Sequence, residues 1–258
     1  MENKKEHSIQ TILNNEGVAR LIFGNPPTNS MSIVLLEELA LTIQKLGEQE
    51  EVRIIILQSE GDRTFCSGAD FTELMAIDDE ESGRIFFSGF AKVINACRKS
   101  PKIILGRIQG KAVGGGVGLA AATDYCFATQ FAAIKLSELS IGIIPAVIEP
   151  AVERKVGLSS FSILALKATE FFSADWAKEK GLYMDVFETA TEMDEAILSL
   201  ARRLSKYNPE GLKELKRILW KNTDHWEELL LERAEISGKL VLSNFTKETL
   251  QAFKAKNG

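Results

Sequence analysis

The stretch Gly110-Lys111-Ala112-Val113-Gly114-Gly115-Gly116-Val117-Gly118-Leu119-Ala120-Ala121-Ala122-Thr123-Asp124 decides how the chain is read. It follows the apolar, strand-like run 103–108 and passes into Ala/Leu-rich sequence that favours helix. A strand, a cluster of glycines and a helix former, in that order, leave backbone N–H groups exposed at a helix N-terminus. Glycine also lets the main chain turn sharply and approach a ligand closely. Such a place favours negative charge, either a phosphate or an oxygen that becomes anionic during a reaction. The spacing is neither GxxxxGK[ST], because Lys111 precedes the glycines, nor GxGxxG, and both facts disfavour a nucleotide-phosphate cradle. On the glycines alone, a tight packing turn with no ligand stays open.

The rest of the composition narrows the field. The 258 residues suit one large domain or a domain with an appendage, and 45% hydrophobic with 26% charged residues is ordinary for a soluble globular protein. A net charge of −5 argues against nucleic acid as a partner. Cys66, Cys97 and Cys126 show no CxxC spacing, so neither a disulfide framework nor a zinc site is indicated, and no other metal constellation is present. With only His7 and His225, a Ser-His-Asp, Cys-His or HExxH centre has almost no material. The N-terminus carries no apolar signal region and no 18-residue apolar run occurs, so no membrane association and a cytoplasmic location are expected.

Runs 9–13 and 18–23 flank Asn14-Asn15-Glu16-Gly17 as a hairpin, and Ser32 caps a helix to about Glu50. Run 52–58 is a strand buried on both faces. Asp78-Asp79-Glu80-Glu81 reads as a solvated, mobile surface segment, with helix over 85–98 and a strand at 103–108. Strands at 125–128 and 132–136 precede a helical turn at Ser137-Glu138-Leu139 and an apolar loop at 142–150. Helices are expected at 150–156, 159–167 and 174–180, then from Thr191 onward with breaks at Asn208-Pro209 and Gly238. Lys213, Lys216, Arg217 and Lys221 form a basic, solvated helix face, while Tyr125, Cys126, Trp176 and Trp220 sit in apolar company as core. An α/β core over residues 1–190 with a helical C-terminal region over 191–258 follows.

Ser67-Gly68-Ala69-Asp70 follows the 52–58 strand much as Gly114–Gly116 follows 103–108. Two neighbouring parallel strands that end in such loops would bring two N–H groups to one crevice at their carboxyl ends, which is what an oxyanion hole requires.

These motifs resemble the crotonase (enoyl-CoA hydratase/isomerase) superfamily: Phe65-Cys66-Ser67-Gly68-Ala69-Asp70-Phe71, the glycine stretch, Ser137 through Pro145, Ser173 through Leu182, and the terminal segment 247–256. The resemblance covers nearly the whole chain in the right order. Within it, the segment Pro145-Ala146-Val147-Ile148-Glu149-Pro150 is similar to 3-methylglutaconyl-CoA hydratases and to dehydratases of polyketide β-branching.

The resemblance implies an α/β fold, a crotonase-like spiral of ββα units, with the C-terminal helices engaged in oligomerisation as a homotrimer or a hexamer. It implies an acyl-CoA thioester as partner, with coenzyme A part of the substrate and no separate cofactor. The N–H groups of Ala69 and Gly115 would hold the thioester oxygen. Ser67, Asp70 and Phe71 would line the coenzyme channel, with Gly114, Gly118 and Pro145 along the substrate path. Phe253 and Lys256 would touch the CoA of a neighbouring subunit. Family hydratases set two glutamates over the substrate; here the first position is Gly118 and the second is Glu138, which leaves Glu138 as the single acid/base. A carboxylate at Glu149 is a weaker candidate to replace the missing one, an exposed loop role being the alternative. The implied activity is hydration or dehydration of an acyl thioester, 3-methylglutaconyl or a branched relative. An enoyl-CoA isomerase, a carrier-protein-linked dehydratase and a non-catalytic acyl-CoA-binding homologue are the alternatives.

Overall fold

The computed structural model describes residues 7–257, the side chains of Lys256 and Asn257 excepted. In chain order the elements are β1 (Ser8–Leu13), β2 (Val18–Gly24), α1 (Ile33–Glu48), β3 (Ile54–Ser59), β4 (Thr64–Cys66), α2 (Phe71–Ala76) and α3 (Glu80–Lys99). There follow β5 (Ile103–Ile108), β6 (Lys111–Val113), α4 (Gly115–Ala121), β7 (Tyr125–Thr129), β8 (Ile134–Lys135), a 3-10 turn (Glu138–Ile141), α5 (Glu149–Leu166), α6 (Ala174–Glu179) and β9 (Asp185–Phe187). The chain ends in α7 (Ala190–Ser205), α8 (Pro209–Leu219), α9 (Trp226–Val241) and α10 (Asn244–Asn257).

Two sheets result. The larger has strand order β1-β2-β3-β5-β7-β9, parallel except for the β1/β2 hairpin. The smaller has order β4-β6-β8, all parallel. Three times in succession the chain lays a long strand in the first sheet, a short one in the second, and then a helical segment. That is the expected spiral of ββα units.

β3 shows why the large sheet is apolar throughout. All six of its residues are buried. Ile55 and Leu57 face the main core between the sheets with α1 and α3, while Ile54 and Ile56 face a second cluster under Met193, Ile197 and Ala201 of α7. Side chains alternate across a strand, so a strand covered on both faces reads as a continuous apolar run rather than an alternating one.

Three local expectations are corrected. The acidic run is exposed, as expected, but ordered into a helix start: Asp79 caps α3 by accepting from the Ser82 N–H at 2.7 Å, and Glu80 and Glu81 fill its first turn, where carboxylates favour the helix dipole. Gly238 does not break a helix. It lies inside α9 where that helix crosses α3, and a β-carbon on Gly83 would stand 2.7 Å from its Cα. The break falls instead between α8 and α9, at 220–225. Lys216 is not on a solvated face; its ammonium is buried against Asp124 at 2.6 Å, while Lys213 and Arg217 remain exposed with Glu210 and Glu214. Trp220 and Cys126 are core as expected, and Trp176 and Tyr125 are half-buried.

Candidate active site

The small sheet positions the site. Its three parallel strands each end at one side of a common cavity: β4 at Ser67–Ala69, β6 at Gly114–Gly115, and β8 at Ser137–Glu138. The exits expected on β3 and β5 are thus carried by the short strands that follow them, a distinction that no hydrophobic run of three residues announces.

After β4, Gly68 takes a φ of +93°, a conformation that favours glycine. Met31 donates to the Gly68 carbonyl at 2.8 Å, and the Asp70 N–H donates to the Met31 carbonyl at 2.9 Å. Both flanking groups point toward Met31, so alternation of extended backbone turns the Ala69 N–H the other way, toward the cavity. After β6, the Gly114 N–H donates to the Lys135 carbonyl at 2.8 Å and α4 starts at Gly115. The first N–H of a helix has no intrahelical acceptor. Neither the Ala69 nor the Gly115 N–H donates to any group among the described residues. The two loops abut: a β-carbon on Gly68 would lie 3.0 Å from the Val113 carbonyl oxygen and 3.6 Å from the Gly115 nitrogen. Two amide donors therefore face one cavity from adjoining loops.

The glycines are needed for different reasons. At Gly114, φ is +52° and a β-carbon would lie 2.8 Å from Glu138 Oε1. At Gly115 it would overlap the Phe90 ring, and at Gly116 it would come 2.8 Å from Cys66 Cβ on β4. The run is the imprint of three close approaches around one site.

Glu138 is the first residue of the 3-10 turn, which ends at Gly142 with φ +89°. Its Oε2 is sealed from solvent and has no hydrogen-bond partner among the described residues. Burial pushes its pKa up to about 7, opposed by its own backbone and by the Lys135 charge. The other carboxylate on the cavity wall, Asp70, is committed to capping α2. It accepts from the Thr72 and Glu73 N–H groups and from the Ser30 hydroxyl at 2.9 Å. A carboxyl near its midpoint at neutral pH, beside two free amide donors, can move a proton while an adjacent oxygen carries charge.

The cavity holds about 680 Å³. Ser67, Ala69, Asp70, Phe71, Gly114, Gly115, Glu138 and Pro145 all line it, and so does Phe253, which was expected at the CoA of a neighbouring subunit. Gly118 does not; it is buried beneath Ile148, which occupies the wall itself. Phe253 packs against Phe71 of the same chain, ring centroids 5.2 Å apart and planes tilted by 46°, over that chain's own cavity. The Lys256 side chain lies outside the described residues. Glu149 is neither in an exposed loop nor on the wall: it opens α5, half-buried, 3.5 Å from Arg233, and burial and a hydrogen bond with Glu153 push it up to about 7. Sequence reasoning missed Phe87, Phe90, Ile148, Ser237 and Thr249 on the wall. They come from α3, α5's approach, α9 and α10, and only their apolar or small character distinguishes them. The Cys66 thiol is buried and pushed up to about 12, away from reactivity. No cluster of metal-ligating side chains occurs, and no helix is long and apolar enough to cross a membrane, among the described residues.

The sequence is similar to a probable enoyl-CoA hydratase of Bacillus subtilis (strain 168), 31% identical over 241 residues, with 93% of each chain covered. It is 33% identical over 192 residues to the mitochondrial methylglutaconyl-CoA hydratase of Mus musculus, spanning 73% of this chain and 60% of that one. In structure it matches an enoyl-CoA hydratase crystal structure from Bacillus halodurans with a TM-score of 0.88 at 21% identity, covering 95% of this chain and 99% of that one, a likeness of fold. The sequence model of the family described as enoyl-CoA hydratase/isomerase matches residues 13–257. With its spiral of ββα units and a cavity framed by three parallel strand ends, the chain belongs to the enoyl-CoA hydratase/isomerase family of the crotonase superfamily.

Proposed function

We propose that the protein adds water to, or removes it from, a branched enoyl thioester, with Glu138 as the single acid/base. The observation that carries this reading is the Glu138 carboxyl, whose Oε2 is sealed and without a partner among the described residues, on the same wall as the two free amide donors. In the dehydration direction the Glu138 carboxylate takes the α-proton of a 3-hydroxyacyl thioester. The enolate oxygen is met by the Ala69 and Gly115 N–H groups, one such donor being worth about 2.7–4 kcal/mol. The β-hydroxyl then leaves with the proton that Glu138 returns to it, and water departs. Hydration is the reverse. One carboxylate serves both transfers because they occur on the same face.

The acyl group we favour is 3-methylglutaconyl or a close branched relative. Support comes from Gly118 beneath Ile148, where family hydratases carry a second glutamate, and from the likeness to the mouse methylglutaconyl-CoA hydratase. Coenzyme A enters as part of the substrate, along Ser67, Phe71 and Phe253. The chain is proposed to work in the cytoplasm as a trimer or hexamer. Exposed Leu158, Leu166, Ile218 and Phe245 on α5, α8 and α10 offer apolar area for that assembly. A panel of enoyl-CoA esters incubated in H₂¹⁸O tests the reading: ¹⁸O in a 3-hydroxyacyl product supports it, and a shifted double bond without ¹⁸O makes the protein an isomerase.

A further inference from the structure

Oε2 of Glu138 has no hydrogen-bond partner among the described residues and the donor acting on the carboxyl is its own backbone, so its aim is set by the turn that carries it. That turn closes through the Ile143 N–H to the Glu138 carbonyl at 3.1 Å and the Gly142 N–H to the Leu139 carbonyl at 3.2 Å. Among the described residues, one hydrogen bond from outside the turn anchors its far end. The hydroxyl of Thr246, a fully buried residue in the first turn of α10, lies 3.1 Å from the Gly142 carbonyl oxygen and 3.0 Å from the Leu240 carbonyl oxygen at the end of α9. Its single proton is shared between two acceptors, and it accepts in turn from the Ser243 hydroxyl at 2.9 Å. A β-carbon on Gly142 would collide with that hydroxyl and stand 2.7 Å from the Phe245 ring, so the turn and α10 are in direct contact.

The same helix reaches the cavity. Thr249 and Phe253 line it, three and seven residues after Thr246, on one face of α10. One rigid element thus touches both the cavity mouth and the turn that aims the carboxyl.

We propose that Thr246 is a positioning residue: through its hydroxyl, the C-terminal helix fixes the 3-10 turn and so the placement of Glu138. The inference rests on Glu138 being the base, and the test separates the two. Among the described residues, the charged groups around Glu138 are Lys135 on β8 and Asp70 at the start of α2, and α9 and α10 contribute no charged residue to the wall.

The probe is 3-methylbutyryl-CoA in D₂O, whose α-proton exchange reports the base without requiring the natural acyl group. Thr246→Val, nearly isosteric, should slow exchange roughly 10- to 100-fold, the loss expected of a base displaced by about an ångström. Binding of the same ester by calorimetry should change less than about threefold. The pH midpoint of exchange should move down by roughly one unit, because a loosened turn admits water to a carboxyl whose pKa is raised by burial. Thr246→Ser should restore the rate and the midpoint. Should Thr246→Val not fold, Ser243→Ala removes the hydroxyl that orients Thr246 and should act in the same direction, more weakly. Wild-type exchange and an unmoved midpoint in these variants, with Glu138→Gln inactive, overturns the inference. Wild-type exchange in Glu138→Gln overturns the reading of Glu138 instead.

Discussion

Ile148 stands where a side chain at residue 118 would have to go: a β-carbon on Gly118 would lie 2.7 Å from the Ile148 β-carbon. The glycine at 118 and the isoleucine thirty residues on are therefore one packing arrangement. Ile148 forms cavity wall only because Gly118 has no side chain. A carboxylate at 118 is excluded by steric overlap, independently of any electrostatic cost.

Gly118→Ala should consequently destabilise the fold by about 1–3 kcal/mol, the usual cost of forcing extra volume into a packed core. Ile148→Ala alone should cost about 2–5 kcal/mol as a cavity. In the double variant the closest overlap, 2.4 Å to Ile148 Cγ2, is gone and only the β-carbon of residue 148 remains near the new methyl, so the two losses should not add fully; a coupling of about 1 kcal/mol or more is expected. Urea unfolding of the four proteins measures it. Additivity within about 0.5 kcal/mol would mean that the two residues are not in contact.

The raised Glu138 pKa has a defined sign for stability. The folded state holds this proton up to about pH 7, whereas the unfolded chain releases it near 4.5. Between those values the native state binds more protons, so stability falls as pH rises from about 4.5 to about 7. The loss is at most on the order of 3 kcal/mol, from about 1.4 kcal/mol per unit. Glu149, also raised to about 7, slopes the same way, so the contribution of Glu138 is the difference between wild type and Glu138→Gln across that window. Equal slopes in the two proteins would contradict it. Activity runs oppositely: α-proton removal needs the carboxylate and should climb with pH through about 7.

Asp124 closes the glycine stretch and ties the C-terminal helices to the core. Its carboxylate accepts from Lys216 at 2.6 Å, the Trp220 indole N–H at 2.6 Å and the Ile104 N–H at 2.8 Å. Both charges are sealed, with side chains 2% and 3% exposed. Removing one partner strands the other, so Lys216→Ala should cost about 3–5 kcal/mol in denaturant unfolding. A loss below about 1 kcal/mol would mean that the pair is hydrated.

Much of this was legible in the sequence where the physics is local. Ser32 caps a helix as its position requires, accepting from the Leu35 N–H group, and the β-branched run around Ile54–Leu57 is the doubly covered strand. The amide donors and Glu138 came from motif order, and they do share a wall. What was not legible depends on partners distant in sequence. Lys216 looks like any helical lysine until Asp124 is opposite it. Gly238 looks like a helix breaker until Gly83 crosses it. β6 is three residues long and takes its identity from β4 and β8 on either side. The role of Ile148 follows only from knowing that it lies over Gly118.

The central claim is that one carboxyl, Glu138, moves the proton while two backbone amides hold the oxygen. Glu138→Gln preserves shape and removes the base. Exchange of the α-protons of 3-methylbutyryl-CoA in D₂O, followed by mass spectrometry alongside calorimetric binding of the same ester, tests it most directly. The account predicts exchange reduced by roughly 10²–10⁴-fold with binding changed less than about threefold. Exchange within about threefold of wild type, at unchanged affinity, would contradict it.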